Sequence, residues 1–152
     1  MKAAVLEDIG KVTIREVPDP AAGPHEVLLG VQAVGLYATD VHIFRGLGHY
    51  VMDAQGRPLP LSAHPLILGH EFGGEVVRLG PHVRDLRLGD RVVCDQDRNC
   101  YSEGRRPLCS YCASGDSHQC QFYQEHGITG PPGALARDSR REDYLKGVLK
   151  LA

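Results

Sequence analysis

Four cysteines in the second half of the chain have the spacing of a metal site. Cys109 and Cys112 are separated by two residues, Cys120 follows after seven more, and Cys100 lies upstream of all three. Zinc binds four thiolates in a tetrahedron, and a two-residue gap lets two sulfurs of one tight turn face a single ion. We therefore predict that these four cysteines bind zinc. A site closed by four cysteines has no open position for a substrate, so its expected role is structural.

Two alternatives stay open for the cysteines. Cys94 is a rival to Cys100 as fourth ligand, but it ends the apolar run RVVC, which is typical of a core strand where a free cysteine behaves as a small hydrophobe. Alternatively, the cysteines are unrelated reduced thiols. The segment 95–121 has few apolar side chains, and metal binding would explain how such a lobe folds.

A second candidate ligand is His70, within LILGHEFGGEV at residues 66–76. His70 is either a metal ligand or a turn residue hydrogen-bonded to backbone, because a lone histidine does not hold zinc without partners. Upstream, TDVHIFRG predicts one or two helical turns capped by Thr39 or Asp40, with His42 on the helix.

The remaining elements predict a mainly β, barrel-like domain. Short segments of strand composition are punctuated by glycine and proline turns, and they cover residues 2–7, 11–17, 26–36, 75–80 and 90–95. The tail, residues 134–152, is different. It has Leu145, Val148 and Leu149 at helical spacing and Glu142 four residues before Lys146, so it predicts a helix.

Composition limits the classes of function. The chain has 152 residues, about one domain, and 17 basic against 19 acidic residues give a formal charge of −2. This near-neutral balance favours neither nucleic acid nor a membrane surface as partner. Neither a signal peptide nor a transmembrane stretch is recognisable, and we expect a cytoplasmic protein. No G-x-G-x-x-G follows a strand, so no Rossmann domain is expected within these residues.

Three motifs stand in one order along the chain. They are Gly69-His70-Glu71, Gly89-Asp90-Arg91-Val92 and the four-cysteine lobe. Together they resemble the zinc-dependent medium-chain alcohol dehydrogenases, specifically their N-terminal GroES-like catalytic domain. The resemblance implies a GroES-like, partly open β-barrel with short helices over residues 1–133, a zinc lobe at about 95–121 and a divergent tail at 134–152.

The resemblance also implies roles for single residues. His70 looks like the histidine ligand of the catalytic zinc, Glu71 like the acidic residue beside it, and Asp40 like the carboxylate that orients the histidine. Thr39 and His42 resemble the hydroxyl and the imidazole that carry the substrate proton to solvent. Alternatively, Thr39 and His42 only start the helix, and Glu71 and Asp40 pair with an arginine such as Arg91.

The family oxidises an alcohol or polyol with NAD(P), so the resemblance implies a small alcohol or carbonyl substrate and possible homo-oligomers. One departure is central: Tyr37 stands where the family has a cysteine zinc ligand, and a neutral phenol is a poor substitute for a thiolate. We therefore expect an oxidoreductase domain that is inactive as this chain alone. The alternatives are a non-catalytic interaction module with a structural zinc, or the product of a truncated or frameshifted gene.

Overall fold

A computed structural model of the chain describes residues 1–48, 50–129, 131–137 and 145–150, the last of these and Arg137 as backbone only. The strands are β1 (Lys2–Asp8), β2 (Lys11–Glu16), β3 (Glu26–Gly35), β4 (Leu66–Ile67), β5 (Glu71–Leu79), β6 (Arg91–Val93), β7 (Asp97–Arg98), β8 (Gln124–Glu125), β9 (Ala136–Arg137) and β10 (Leu145–Lys150). The helices are α1 (Ala38–Phe44), α2 (Ser110–Ser114) and a 3₁₀ turn at Ser117–Gln119. The predicted mainly β fold with short helices is confirmed.

Eight of the strands form one antiparallel sheet in the order β2-β1-β9-β10-β3-β5-β6, with β4 paired to β1. The pairing of β3 with β5 runs from Val27 opposite Leu79 to Gly35 opposite Glu71. These two strands approach closely at Gly74, because a Cβ there would lie 2.3 Å from the carbonyl oxygen of Gly30. The close approach requires glycine at position 74.

The two largest apolar clusters form most of the core. The larger lies on the central strands and contains Val27, Leu29, Val31, Phe72, Val76, Cys94 and Ala134. The second joins β1 and β4 to the helix α1 and contains Leu6, Ile43, Leu66, Leu68 and Ile128. Burial of Ile43 therefore fixes the side of α1 that faces the sheet.

Within the described residues, none of the helices has the length and apolar character needed to cross a membrane.

The helix predicted for the tail is wrong over Leu145–Lys150, which form strand β10. This strand pairs with β3, from Leu145 opposite Val31 to Lys150 opposite Glu26. Helix propensity is a weak local preference, and hydrogen bonds to a neighbouring strand override it. The rest of the tail, 138–144 and 151–152, lies outside the described residues.

The cysteine lobe leaves the sheet after β6 and returns through a short two-stranded ladder. In this ladder Asp97 pairs with Glu125 and Arg98 with Gln124. The Tyr123 hydroxyl, close to the ladder, donates a 2.5 Å hydrogen bond to the Asp97 carboxylate. Thus the two chain ends of the lobe lie side by side.

Candidate metal centres

The four cysteines of the lobe converge on one point. All four are buried, and their sulfur atoms lie within 4.8 Å of one another. The Sγ atom of Cys120 is 3.7 Å from that of Cys100 and 3.9 Å from that of Cys109. With Zn–S bonds of about 2.3 Å, a tetrahedron has sulfur–sulfur edges of about 3.8 Å. The donor set and its spacing therefore fit a zinc ion.

Local backbone geometry aims these sulfurs inward. Cys109 is the N-cap of α2, so its sulfur accepts a 3.5 Å hydrogen bond from the backbone N–H of Cys112. The backbone N–H of Phe122 donates to the Cys120 sulfur at 3.3 Å. The Tyr101 hydroxyl donates to the Cys112 carbonyl at 2.7 Å and ties the upstream arm of the lobe to α2.

The electrostatics of the cluster favour a bound cation. The Cys112 backbone N–H lowers the pKa of Cys109 to about 6, because it stabilises the thiolate. Burial raises the pKa of Cys112 to about 12. Four thiolates at this separation repel one another, so only a positive ion at the centre would stabilise all of them together.

Cys94 lies apart from this cluster. It is buried in the apolar core of the sheet, and its thiol donates to the Asp95 carbonyl at 3.3 Å. Burial raises its pKa to about 12, and its sulfur is not part of the group of converging ligand atoms found among the described residues. The structure therefore brings Cys100, and not its rival Cys94, to the other three cysteines.

The second candidate centre lies at the junction of β3, α1 and β5. Asp40 is buried there, and its carboxylate accepts hydrogen bonds from the backbone N–H groups of Tyr37, at 2.9 Å, and Gly69, at 3.0 Å. His70 is also buried, with Nδ1 at 3.5 Å from the Asp40 carboxylate. Among the described residues, His70 Nδ1 has no hydrogen-bond partner. The alternative of a turn histidine held through this atom by backbone is therefore not supported.

Tyr37 occupies the position next to His70 where the family ligand is expected. Its ring meets the His70 ring edge-on, with centroids 6.3 Å apart, and its side chain is 57% exposed. Tyr37 is also the N-cap of α1, so the predicted cap at Thr39 or Asp40 is wrong in position. Asp40 does stabilise the helix start, but from the third helical residue, by accepting the Tyr37 N–H.

The other predicted residues of this centre do not converge with His70. Glu71 is exposed, and its carboxylate covers Gly35, where a Cβ would lie 2.8 Å from it. His42 is exposed on α1, and in the described part of the chain no hydrogen bond joins it to Thr39. Nor does an ion pair join Arg91 to Asp40 or Glu71 among those residues.

An open hollow of about 450 Å³ lies beside this centre. Its lining is Ala33, Gly35, Glu71, Phe72, Gly73, Val93, Cys94 and Gln96.

The sequence interpretation missed His126, a buried histidine whose ring packs edge-on against Phe72 at 6.2 Å between centroids. Its Nδ1 lies 3.3 Å from the Pro132 carbonyl, and burial lowers its pKa. A single histidine in a glycine-rich loop carried no signal of burial.

The family model for the alcohol dehydrogenase GroES-like domain matches residues 23–143. The chain belongs to this family. It is 36% identical over 122 residues to a sorbitol dehydrogenase from Halalkalibacterium halodurans, covering 79% of this chain and 31% of that protein. It is 41% identical over 116 residues to an L-threonine 3-dehydrogenase from Streptomyces avermitilis, covering 72% of this chain and 31% of that protein.

Solved structures show the same relationship. Galactitol-1-phosphate dehydrogenase from Escherichia coli superimposes on the GroES-like domain with a TM-score of 0.75 at 26% identity, covering 99% of this chain and 36% of that one. A putative zinc-binding dehydrogenase from Sinorhizobium meliloti, bound to NADP, gives 0.72 at 30% identity, covering 98% and 36%. The chain therefore spans about a third of the length of the relatives it matches.

Proposed function

We propose that this GroES-like domain is part of a zinc-dependent dehydrogenase for an alcohol or polyol, and that it keeps a structural zinc but lacks a competent catalytic one. The single observation that carries this proposal is the contrast in ligand sets. Four buried cysteine sulfurs converge within 4.8 Å, and they are the only such group of potential ligands among the described residues.

The zinc of the lobe would be held by Cys100, Cys109, Cys112 and Cys120, and it would act by folding the lobe. A zinc ion bound by four thiolates cannot admit a substrate, so its contribution is to stability. The lobe has little apolar packing of its own, because among the described residues only Leu108 and Tyr123 pack against the cysteines as partly buried hydrophobic residues.

The residues around His70 do not fit a catalytic zinc. Three protein ligands are the rule for such a site, and here a tyrosine replaces the thiolate while Glu71 is exposed. Consequently we derive no catalytic step through a metal at this place. Thr39 and His42 remain proposals as proton carriers, supported by their position on α1, the helix that also carries the buried Asp40.

The substrate class and the coenzyme follow from kinship. An alcohol or polyol and NAD(P) are proposed for the dehydrogenase to which this domain contributes. The 152 residues contain no glycine motif that would cradle a dinucleotide phosphate.

All five cysteines are free, which suits a reducing compartment such as the cytoplasm.

Metal stoichiometry tests the proposal. Protein purified under reducing conditions should contain one zinc per chain by mass spectrometry, and the purified chain should show no zinc-dependent formation of NAD(P)H from alcohols. His70→Ala should leave the zinc content unchanged, whereas Cys112→Ser should abolish it. Two zinc ions per chain, with one lost in His70→Ala, would refute the proposal.

A non-catalytic interaction module is the second candidate, and the same complete cysteine cluster favours it. It predicts one zinc per chain together with a defined oligomer. Light scattering on the zinc-loaded chain tests this candidate, because a monomer at all concentrations argues against a self-associating module.

A further inference from the structure

Two exposed histidines outside the cysteine lobe face each other. His25 precedes β3, His82 follows β5, and His82 Nδ1 lies 3.1 Å from His25 Nε2. The ring centroids are 4.7 Å apart with an interplanar angle of 62°. Two imidazoles whose nitrogens pointed straight at each other would have their ring centroids farther apart than this. The two rings are therefore offset, and their nitrogens do not meet head on.

The backbone holds the two histidines in place. The turns that carry them are joined by hydrogen bonds from Gly80 N to the Glu26 carbonyl at 2.8 Å and from His82 N to the Pro24 carbonyl at 2.9 Å. The turns touch at Gly80, where a Cβ would lie 2.1 Å from the Gly23 carbonyl oxygen. The backbone positions of the two histidines are thus set by a tightly packed crossing of the two turns.

The nitrogen spacing matches that of two ligands on one metal ion. Imidazole nitrogens bind zinc at about 2.0–2.1 Å, which places two of them about 3.3 Å apart on a tetrahedral ion. Neutral imidazole also suits nickel and copper, which bind nitrogen ligands more tightly than lighter divalent metals do. Because both side chains are exposed, water can complete the coordination shell.

We propose that His25 and His82 form a surface site for a divalent first-row transition metal, held by two imidazole nitrogens and solvent. The metal would bridge the turn before β3 to the turn after β5. Because it would bind the folded arrangement and not the unfolded chain, it would also stabilise the domain. This site is independent of the cysteine lobe and of any dehydrogenase activity.

Nickel titration tests the site. The full chain is first saturated with zinc and desalted, so that the cysteine lobe is in its preferred state, and Ni²⁺ binding is then followed by calorimetry. Two imidazoles acting together should bind Ni²⁺ on the order of 100-fold more tightly than one. Both His25→Ala and His82→Ala should lose this advantage, whereas His64→Ala, which removes another exposed histidine, should keep it.

A second measurement does not depend on the variants. In the wild-type chain, substoichiometric Ni²⁺ should broaden the imidazole proton resonances of His25 and His82 together, before those of His64. If the wild-type chain binds Ni²⁺ no more tightly than either single variant, or if the two histidines broaden separately, the proposal is wrong. A failure of the cysteine lobe to hold zinc would instead appear in the desalted protein's zinc content.

Discussion

The cysteine lobe and the His70 centre use their polar side chains differently. In the lobe, the four sulfurs face one another, and two of them each accept one backbone N–H, at 3.3 and 3.5 Å. In the His70 centre, the Asp40 carboxylate already accepts two backbone N–H groups at 2.9 and 3.0 Å. The lobe therefore presents four sulfur ligand atoms that could bind one central ion. In the His70 centre, by contrast, the carboxylate is already hydrogen-bonded to the backbone.

This difference shows why a family motif does not by itself establish a metal site. Asp40 has a place in the fold that metal binding does not explain, because its carboxylate joins the start of α1 to the turn before β5. The cysteine lobe has no comparable alternative to metal. Each region therefore predicts a different response to mutation.

The largest effect is expected in the lobe. Cys109→Ser should abolish zinc binding and lower the free energy of unfolding by more than about 4 kcal/mol, because losing a metal is among the most destabilising single changes. Denaturant unfolding and zinc analysis measure both quantities. Cys94→Ala is the matched control: it should keep the zinc and cost about 1 kcal/mol. Equal losses in the two variants would remove the contrast between the regions.

Asp40→Ala should have the next largest effect. It leaves the N–H groups of Tyr37 and Gly69 without their acceptor, and we expect a loss of about 2–4 kcal/mol in the free energy of unfolding. Asp40→Asn keeps an acceptor oxygen and should cost less. Zinc content should equal that of the wild type in both variants. A variant that lost zinc would show that the His70 centre, too, depends on metal.

His126 should make stability depend on pH to a smaller extent. Burial lowers its pKa, so the unfolded chain binds the proton first as the pH falls. Stability from this group is present above the unfolded pKa of about 6.5, and it is lost as the pH falls towards the lower folded pKa. The free energy of unfolding, measured across this pH range, should change less steeply with pH in His126→Phe than in the wild type. The control is His118→Gln, at an exposed histidine. If the slope against pH is the same in the two variants, the assignment is wrong.

Tyr37→Cys should change stability least, by less than about 0.5 kcal/mol, because the side chain is exposed. Its effect should be on metal content. A thiolate beside His70 should raise zinc above one per chain, and cobalt substitution should show an added thiolate absorption band. Tyr37→Phe is the control and should show neither change. If Tyr37→Cys also gains no metal, the centre lacks more than the thiolate.

Much of the fold was predictable from local signals. The hairpin of β1 and β2, strand β3 and the short helix α1 all follow from turn residues and apolar patterning. The cysteine cluster follows from the spacing of Cys109 and Cys112 in a tight turn. In each case the residues that interact are near neighbours, or their chemistry leaves few other arrangements.

What failed depended on distant partners. Leu145–Lys150 have helical spacing, yet they form a strand because β3 offers its hydrogen-bonding edge. The predicted cap of α1 is wrong because the helix already begins at Ala38, and the hydrogen bond from the distant Gly69 N–H to Asp40 is likewise not revealed by sequence spacing. Similarly, the burial of His126 against Phe72 joins parts of the chain more than fifty residues apart.

The ladder of β7 and β8 has a consequence for how the domain can change over evolution. Because Asp97 pairs with Glu125, the entry and exit of the lobe are already neighbours in space. A two-residue turn is long enough to join adjacent antiparallel strands. We therefore expect that the lobe can be shortened, exchanged or deleted at this ladder without rerouting the strands of the main sheet, and that the proposed zinc site would be lost with it.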